Sequence, residues 1–309
     1  MSRQSREAAL AYAHDLSVLP FESVLEGLLQ QPKKAAPTPP RPALETLSGD
    51  KKKLLALRLR QKSSGTESSA WFSGLEDRVP GRTLLFCFPH AGGGAMVYHR
   101  WRETLGPKAT VCPILMPGRE TRIAEPAMDD MGRLVDALGH QIVSHLHKPY
   151  AFFGHSMGGT VAFEVARWLR ARGFTLPSRL IVSAVRAPQF RLNHQPGLEP
   201  SNEALLAELR KLQGIPEEIL SSEEAMKLVL PALKADTTLY RNYIYERGAA
   251  FGFPIHAFGG LQDPNIERIH LEGWREQTTA SFRLLELTGG HFYYQNSTGV
   301  SGGSGKSLD

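Results

Sequence analysis

Residues 150–166 read YAFFGHSMGGTVAFEVA. The first five residues form a short apolar run rich in aromatics, so they predict a buried strand. From Thr160 the apolar residues repeat at helical spacing, and the helix predicted over 160–173 is closed by Gly173. Between the two lies Gly154-His155-Ser156-Met157-Gly158. A chain that turns this sharply from strand to helix brings backbone against backbone, which glycine alone tolerates. The turn lifts Ser156 clear of the sheet, the arrangement of a nucleophile elbow. Chance alone would produce G-x-S-x-G about 0.1 times in a chain this long. The flanking strand and helix give the motif its weight.

Outward from this segment the same alternation continues. Strands are predicted at TLLFCF (83–88), TVCPIL (110–115), LIVSA (180–184), PIHAFG (254–259) and FRLLEL (282–287). Met131, Leu134, Val135, Leu138, Ile142 and Leu146 mark an amphipathic helix between the second strand and 150–154. Continuous apolar strands alternating with helices predict an α/β protein: a mostly parallel sheet with helices on both faces. With the elbow at its centre, the α/β-hydrolase fold is expected. Residues 191–248 interrupt the alternation with helical stretches and no strand, which predicts a helical lid insertion. Its leucines 205, 206, 209, 228, 230, 233 and 239 exceed what one solvent-facing helix needs.

A serine hydroxyl attacks only when a base takes its proton. This fold orders the partners as Ser, then Asp or Glu, then His. Asp263 follows the strand at 254–259, and His291 follows the strand at 282–287. Both stand at carboxyl ends of strands, the edge from which Ser156 emerges. Asp236, inside the lid, is the rival acid. His270, which follows no strand, is the rival base. His140, His145 and His147 are expected at the surface. The tetrahedral oxyanion needs backbone donors. Met157, next to the serine, is one candidate. Ala91, in the loop PHAGGG (89–94) after the first strand, is the other. That loop lacks the Lys-Ser/Thr ending of a P-loop and the spacing of a dinucleotide site.

Of the 36 Lys/Arg and 31 Asp/Glu in the 309 residues, residues 1–70 hold 11 and 7, so the remainder is close to neutral. A nucleic-acid surface is not expected from that balance. No apolar run reaches the ~20 residues of a membrane span, and a secretory signal is not expected, since MSRQSREAALAYAHDL has no apolar core followed by a small-residue cleavage site. A cytoplasmic protein is expected. Cys87 and Cys112 read as buried thiols, and no metal-ligand spacing exists. No cofactor is expected.

Three segments divide the chain: a helical and linker extension over 1–70, the hydrolase domain over 71–295, and a disordered tail over 296–309. The extension contains a proline-rich linker (31–42) and a basic amphipathic helix (48–62). It is read as a possible docking region, and a chain starting near Ala70 is expected to fold.

The blocks FPHAGGGAMVYHRW, LMPGRETRIAEP, PYAFFGHSMGGTVAFEVARWL, SAVRAP, LPALKAD, FGGLQDP and LTGGHFYY stand in one order. Together they resemble the type II thioesterases of nonribosomal peptide and polyketide synthesis. The resemblance covers roughly residues 80–295. It implies a substrate: an acyl or peptidyl thioester on the phosphopantetheine arm of a carrier protein, which would be the partner. It also implies Ser156 as nucleophile, Asp263 and His291 as its relay, Ala91 and Met157 as oxyanion donors, and 191–248 as a mobile lid. Editing, product release and cyclisation remain open at this level, as does an idle docking module. Two features depart from the family. About 80 residues precede the FPHAGG strand and contain no Asp-Ser-Leu-like attachment motif. In place of an apolar helix after HFYY stands a Gly/Ser-rich tail. Either the C-terminus is truncated or altered, or an N-terminal helix is expected to fill that face of the sheet.

Overall fold

Six strands form one sheet in the order β2-β1-β3-β4-β5-β6, and every neighbouring pair is parallel. They are β1 (Thr83–Phe88), β2 (Ala109–Pro113), β3 (Tyr150–His155), β4 (Leu180–Ser183), β5 (Ile255–Gly260) and β6 (Phe282–Leu287). The computed structural model describes residues 71–75, 82–106, 108–146, 149–190, 201–212 and 220–295, together with Leu25 and Gly27. The linker at 31–42, the basic helix at 48–62 and the tail at 296–309 lie outside the described residues.

Strands β1 to β5 are covered on both faces, which is why they read as unbroken apolar runs. Successive side chains then enter opposite cores. Leu84, Phe86 and Phe88 of β1 join Tyr150 and Phe152 of β3 in one cluster. Leu85 and Cys87 join Ala151 and Phe153 in the other. β2 and β6 lie at the two edges, and the residues of β6 are half-buried or exposed.

The helices are α1 (Trp101–Leu105), α2 (Met131–Val143), α3 (Met157–Ala171), α4 (Asn202–Leu212), α5 (Glu223–Asn242) and α6 (Arg268–Glu272). Asp130 caps α2 by accepting from the Arg133 N–H at 2.8 Å. Helices α2 and α3 pack together, with Trp168 donating to Asp136 Oδ1 at 2.9 Å. Helix α3 begins at Met157, three residues before the predicted start, because the small residues Gly158 and Gly159 are already helical. Helix α5 runs through Pro231 and ends at Asn242. No described helix is long and apolar enough to cross a membrane.

Two observations bear on the periphery. His145, expected at the surface, instead meets Phe72 edge-on at 5.3 Å, because Phe72 bridges to Ile114 and closes over it. Leu25 is helical and fully buried in the cluster that contains Leu85, Cys87, Trp101 and Phe292.

The chain leaves β1 toward β2 on one side and then crosses back to β3 on the other. This reversal places the loop after β1 beside the loop after β3. In open parallel sheets the crevice at such a reversal is where ligands bind.

Candidate active site

Ser156 has φ 53° and ψ −125°, in a region that non-glycine residues rarely occupy. Surrounding bonds hold it there. Its N–H donates to the Ser183 carbonyl at 2.8 Å, and its own carbonyl accepts from Gly159 N–H at 2.9 Å. A Cβ on Gly158 would collide with the carbonyl groups of Phe88 and Pro89. The elbow and the end of β1 therefore touch, and this glycine permits the contact.

His291 follows β6. Leu261 N–H donates to the Leu287 carbonyl at 2.8 Å and Gln262 N–H to the Gly289 carbonyl at 2.9 Å, so the loops after β5 and β6 are stitched together. Asp263 Oδ1 accepts from the N–H groups of Asn265 and Ile266 at 2.9 and 3.2 Å. Its Oδ2 lies 2.7 Å from His291 Nδ1, and His291 Nε2 lies 3.0 Å from Ser156 Oγ. The Asp263 side chain is wholly buried and His291 nearly so. With Nδ1 protonated and hydrogen-bonded to the carboxylate, Nε2 presents a lone pair to the serine hydroxyl.

The rivals are occupied elsewhere. His270 Nδ1 accepts from Glu267 N–H at 3.0 Å and helps to cap α6. Asp236 is fully buried on α5, where both oxygens are taken by Arg119 at 2.6 and 2.7 Å.

Behind His291 stands a group of rings that the sequence reading did not anticipate. His155, His90, Phe292 and Tyr294 pack on one another. Burial, then the neighbouring charge of His291, holds His155 well below the usual imidazole range. Burial pushes His90 down to about 3, with smaller effects from His291 and Arg119. His155 Nδ1 faces Ser183 Oγ at 2.8 Å, which in turn faces the Tyr293 hydroxyl at 2.6 Å. The local signal was present in GHS and HFYY, but nothing in their spacing shows that they meet.

Ala91 lies in the loop after β1, and no described residue accepts its N–H. Met157 opens α3, where first-turn N–H groups lack helical acceptors and carry partial positive charge. Ala91 packs on both the main core and a separate cluster of Leu205, Leu209, Leu220, Met226 and Leu233 from the 191–248 insertion. Leu239, farther along α5, belongs to the main core, while Leu228 is exposed. The described part of the insertion therefore lies against the loop that carries Ala91.

A serine, an imidazole and a carboxylate bonded in that order, at the carboxyl edge of a parallel sheet, define a serine hydrolase of the α/β-hydrolase fold. The Thioesterase domain family matches residues 83–301, and the chain belongs to that family, whose enzymes are hydrolases acting on thioesters. It is 36% identical to thioesterase PikA5 of Streptomyces venezuelae, over 74% of this chain and 81% of that protein. It is also 36% identical to gramicidin S biosynthesis protein GrsT of Aneurinibacillus migulanus, over 75% of this chain and 91% of that one. The structure of type II thioesterase BorB from the borrelidin biosynthetic cluster superposes with a TM-score of 0.66. That match has 37% identity and covers 74% of this chain and 93% of BorB.

Proposed function

We propose that this chain hydrolyses acyl or peptidyl thioesters carried on the phosphopantetheine arm of a carrier protein in nonribosomal peptide or polyketide synthesis. The observation that carries the reading is the run Ser156 Oγ, His291, Asp263, with contacts of 3.0 and 2.7 Å. Two similar solved structures, ClbQ from the colibactin NRPS/PKS pathway and the type II thioesterase YbtT from the yersiniabactin NRPS/PKS pathway, support the substrate class.

His291 Nε2 takes the hydroxyl proton as Ser156 Oγ attacks the thioester carbonyl carbon. Asp263 holds the tautomer and stabilises the imidazolium. The N–H groups of Ala91 and Met157 receive the developing oxyanion, each donor contributing about 3 kcal/mol. Collapse breaks the C–S bond, and the imidazolium proton goes to the departing thiolate. Water, deprotonated by the same imidazole, then attacks the acyl-Ser156 ester and releases the acid. The 191–248 insertion is assigned as the lid over this site and the region that selects the acyl group.

The test is intact-protein mass spectrometry after incubation with a panel of acyl-phosphopantetheine thioesters. The expected result is an acyl adduct on Ser156, free acid as product, and neither with Ser156→Ala. Hydrolysis that persists in a folded Ser156→Ala protein would overturn the reading.

A further inference from the structure

Arg119 and Asp236 are 117 positions apart and both buried, yet neither belongs to the serine–histidine–aspartate run. Arg119 grips Asp236 through both nitrogens, at 2.6 and 2.7 Å. The pair also holds main chain. Asp236 Oδ2 accepts from Gly92 N–H at 2.8 Å, and Arg119 Nη1 donates to the Gly93 carbonyl at 2.8 Å. Gly92 has φ +76° and lies directly after Ala91. The next residue, Glu120, extends the grip by accepting from the N–H groups of Ala95 and Met96, both at 2.9 Å.

We infer that the Arg119–Asp236 pair is a positioning strut that sets the oxyanion-donating conformation of the loop around Ala91. A run of three glycines has more backbone freedom to lose than any other sequence. Left loose, it would lose that freedom during catalysis, and the Ala91 N–H would not be aimed in advance. A buried ion pair is weak evidence for stability, because desolvation consumes most of its attraction. This one also bonds the main chain of two consecutive residues, Gly92 and Gly93, directly after Ala91, a conformational role. Asp236 also lies on α5, so the strut ties the lid helix to the loop. Leu233, one turn earlier, packs against Gly92.

The inference rests on Ala91 acting as an oxyanion donor and Ser156 as the nucleophile. Arg119 and Asp236 are positioning residues, so their removal should act on the transition state and spare ground-state binding. Removing one partner leaves an uncompensated buried charge that can unfold the protein. The test therefore uses the double variant Arg119→Met/Asp236→Leu beside Asp236→Asn. The full chain is assayed with an acyl-phosphopantetheine thioester. Binding of an alkyl boronic acid, which forms a tetrahedral adduct on serine, is compared with that of a non-hydrolysable thioether analogue.

In the folded double variant kcat is expected to fall about 10- to 100-fold, part of the loss seen when a whole donor is removed. KM and thioether affinity should stay within about twofold, and boronate affinity should fall with kcat. Asp236→Asn, where folded, should show the same split at smaller size. A folded double variant with full kcat and full boronate affinity would overturn the strut. So would a loss confined to KM and thioether binding, which would make the pair part of the acyl-binding surface. Ser156→Ala, run in parallel, separates the two ideas. If it is inactive while the double variant is unimpaired, only the strut fails. If it stays active, the nucleophile assignment itself fails.

Discussion

The rings of His155 and His291 lie 5.1 Å apart, and only His291 has a carboxylate beside it. His155 Nε2 is buried without a hydrogen-bond partner. Two imidazolium ions at that spacing would repel strongly in so buried a place. Burial and the His291 charge keep His155 neutral, and His90 is pushed down to about 3. Neither His155 nor His90 should therefore add a proton to the acid limb of kcat/KM above about pH 5, and that limb should have unit slope. A log–log slope of two would mean that a second histidine of the group titrates with the first.

Asp263→Asn keeps the shape of the side chain but cannot stabilise an imidazolium or enforce the same tautomer. By analogy with serine proteases, kcat should fall about 10⁴-fold, with little change in KM or melting temperature. Circular dichroism and steady-state kinetics with a soluble thioester provide the check. A loss below tenfold would shift attention to another acid.

Gly158→Ala places a methyl group on the carbonyl groups of Phe88 and Pro89, neither of which can yield without moving β1. The variant should fold poorly or lose activity through a displaced elbow. Gly252→Ala, where a Cβ meets nothing within 4 Å, is the control and should behave like the parent. Expression yield, melting temperature and turnover compare the two. Parent-like Gly158→Ala would show that the elbow is not constrained by that contact.

His256 on β5 is buried, neither ring nitrogen has a described hydrogen-bond partner, and burial, then Arg179 and Arg283, lowers it to about 4. The unfolded imidazole takes a proton near pH 6.5, so from there down to about pH 4 the unfolded state binds more protons than the fold. Stability should fall as pH falls through that window, at about 1.4 kcal/mol per pH unit for this group. His256→Leu should flatten the slope and raise the urea midpoint at pH 5 more than at pH 8. Equal shifts at both pH values would mean that His256 does not titrate differentially.

Leu25 contributes to the core from far outside the hydrolase segment, on the sheet face that contains Leu85, Cys87 and Phe292. Leu25→Ala should cost about 2–5 kcal/mol, the usual range for a buried leucine. A chain starting near Ala70 should lose at least as much. Gly27→Ala, helical, exposed and free of neighbours within 4 Å, should be neutral or slightly stabilising. Urea unfolding measures all three. An unchanged midpoint for Leu25→Ala would leave residues 1–70 as a detached extension.

Much of the site was legible because its signals are local. Strand, glycine turn and helix are contiguous around Ser156, and Asp263 and His291 each follow a strand. In a parallel sheet every such loop opens on the same edge, so the order of strands alone brings distant loops together. Apolar runs revealed the strands for a similar reason: a strand covered on both faces has no polar side to show. β6, at the edge, was the least continuous of them.

Other features were decided only in three dimensions. Asp236 looked like a rival acid because its type and position suited one, but its oxygens point at Arg119 and Gly92. His145 looked exposed because nothing beside it in the chain announces Phe72. The sequence by itself determined the parallel sheet and the loops that bear the reacting side chains, because periodicity and turn chemistry act between near neighbours. Only the tertiary structure decided which buried charge meets which, which histidines stand behind His291, and where Leu25 lies. Those pairings join residues that only packing brings together, and no local repeat encodes them.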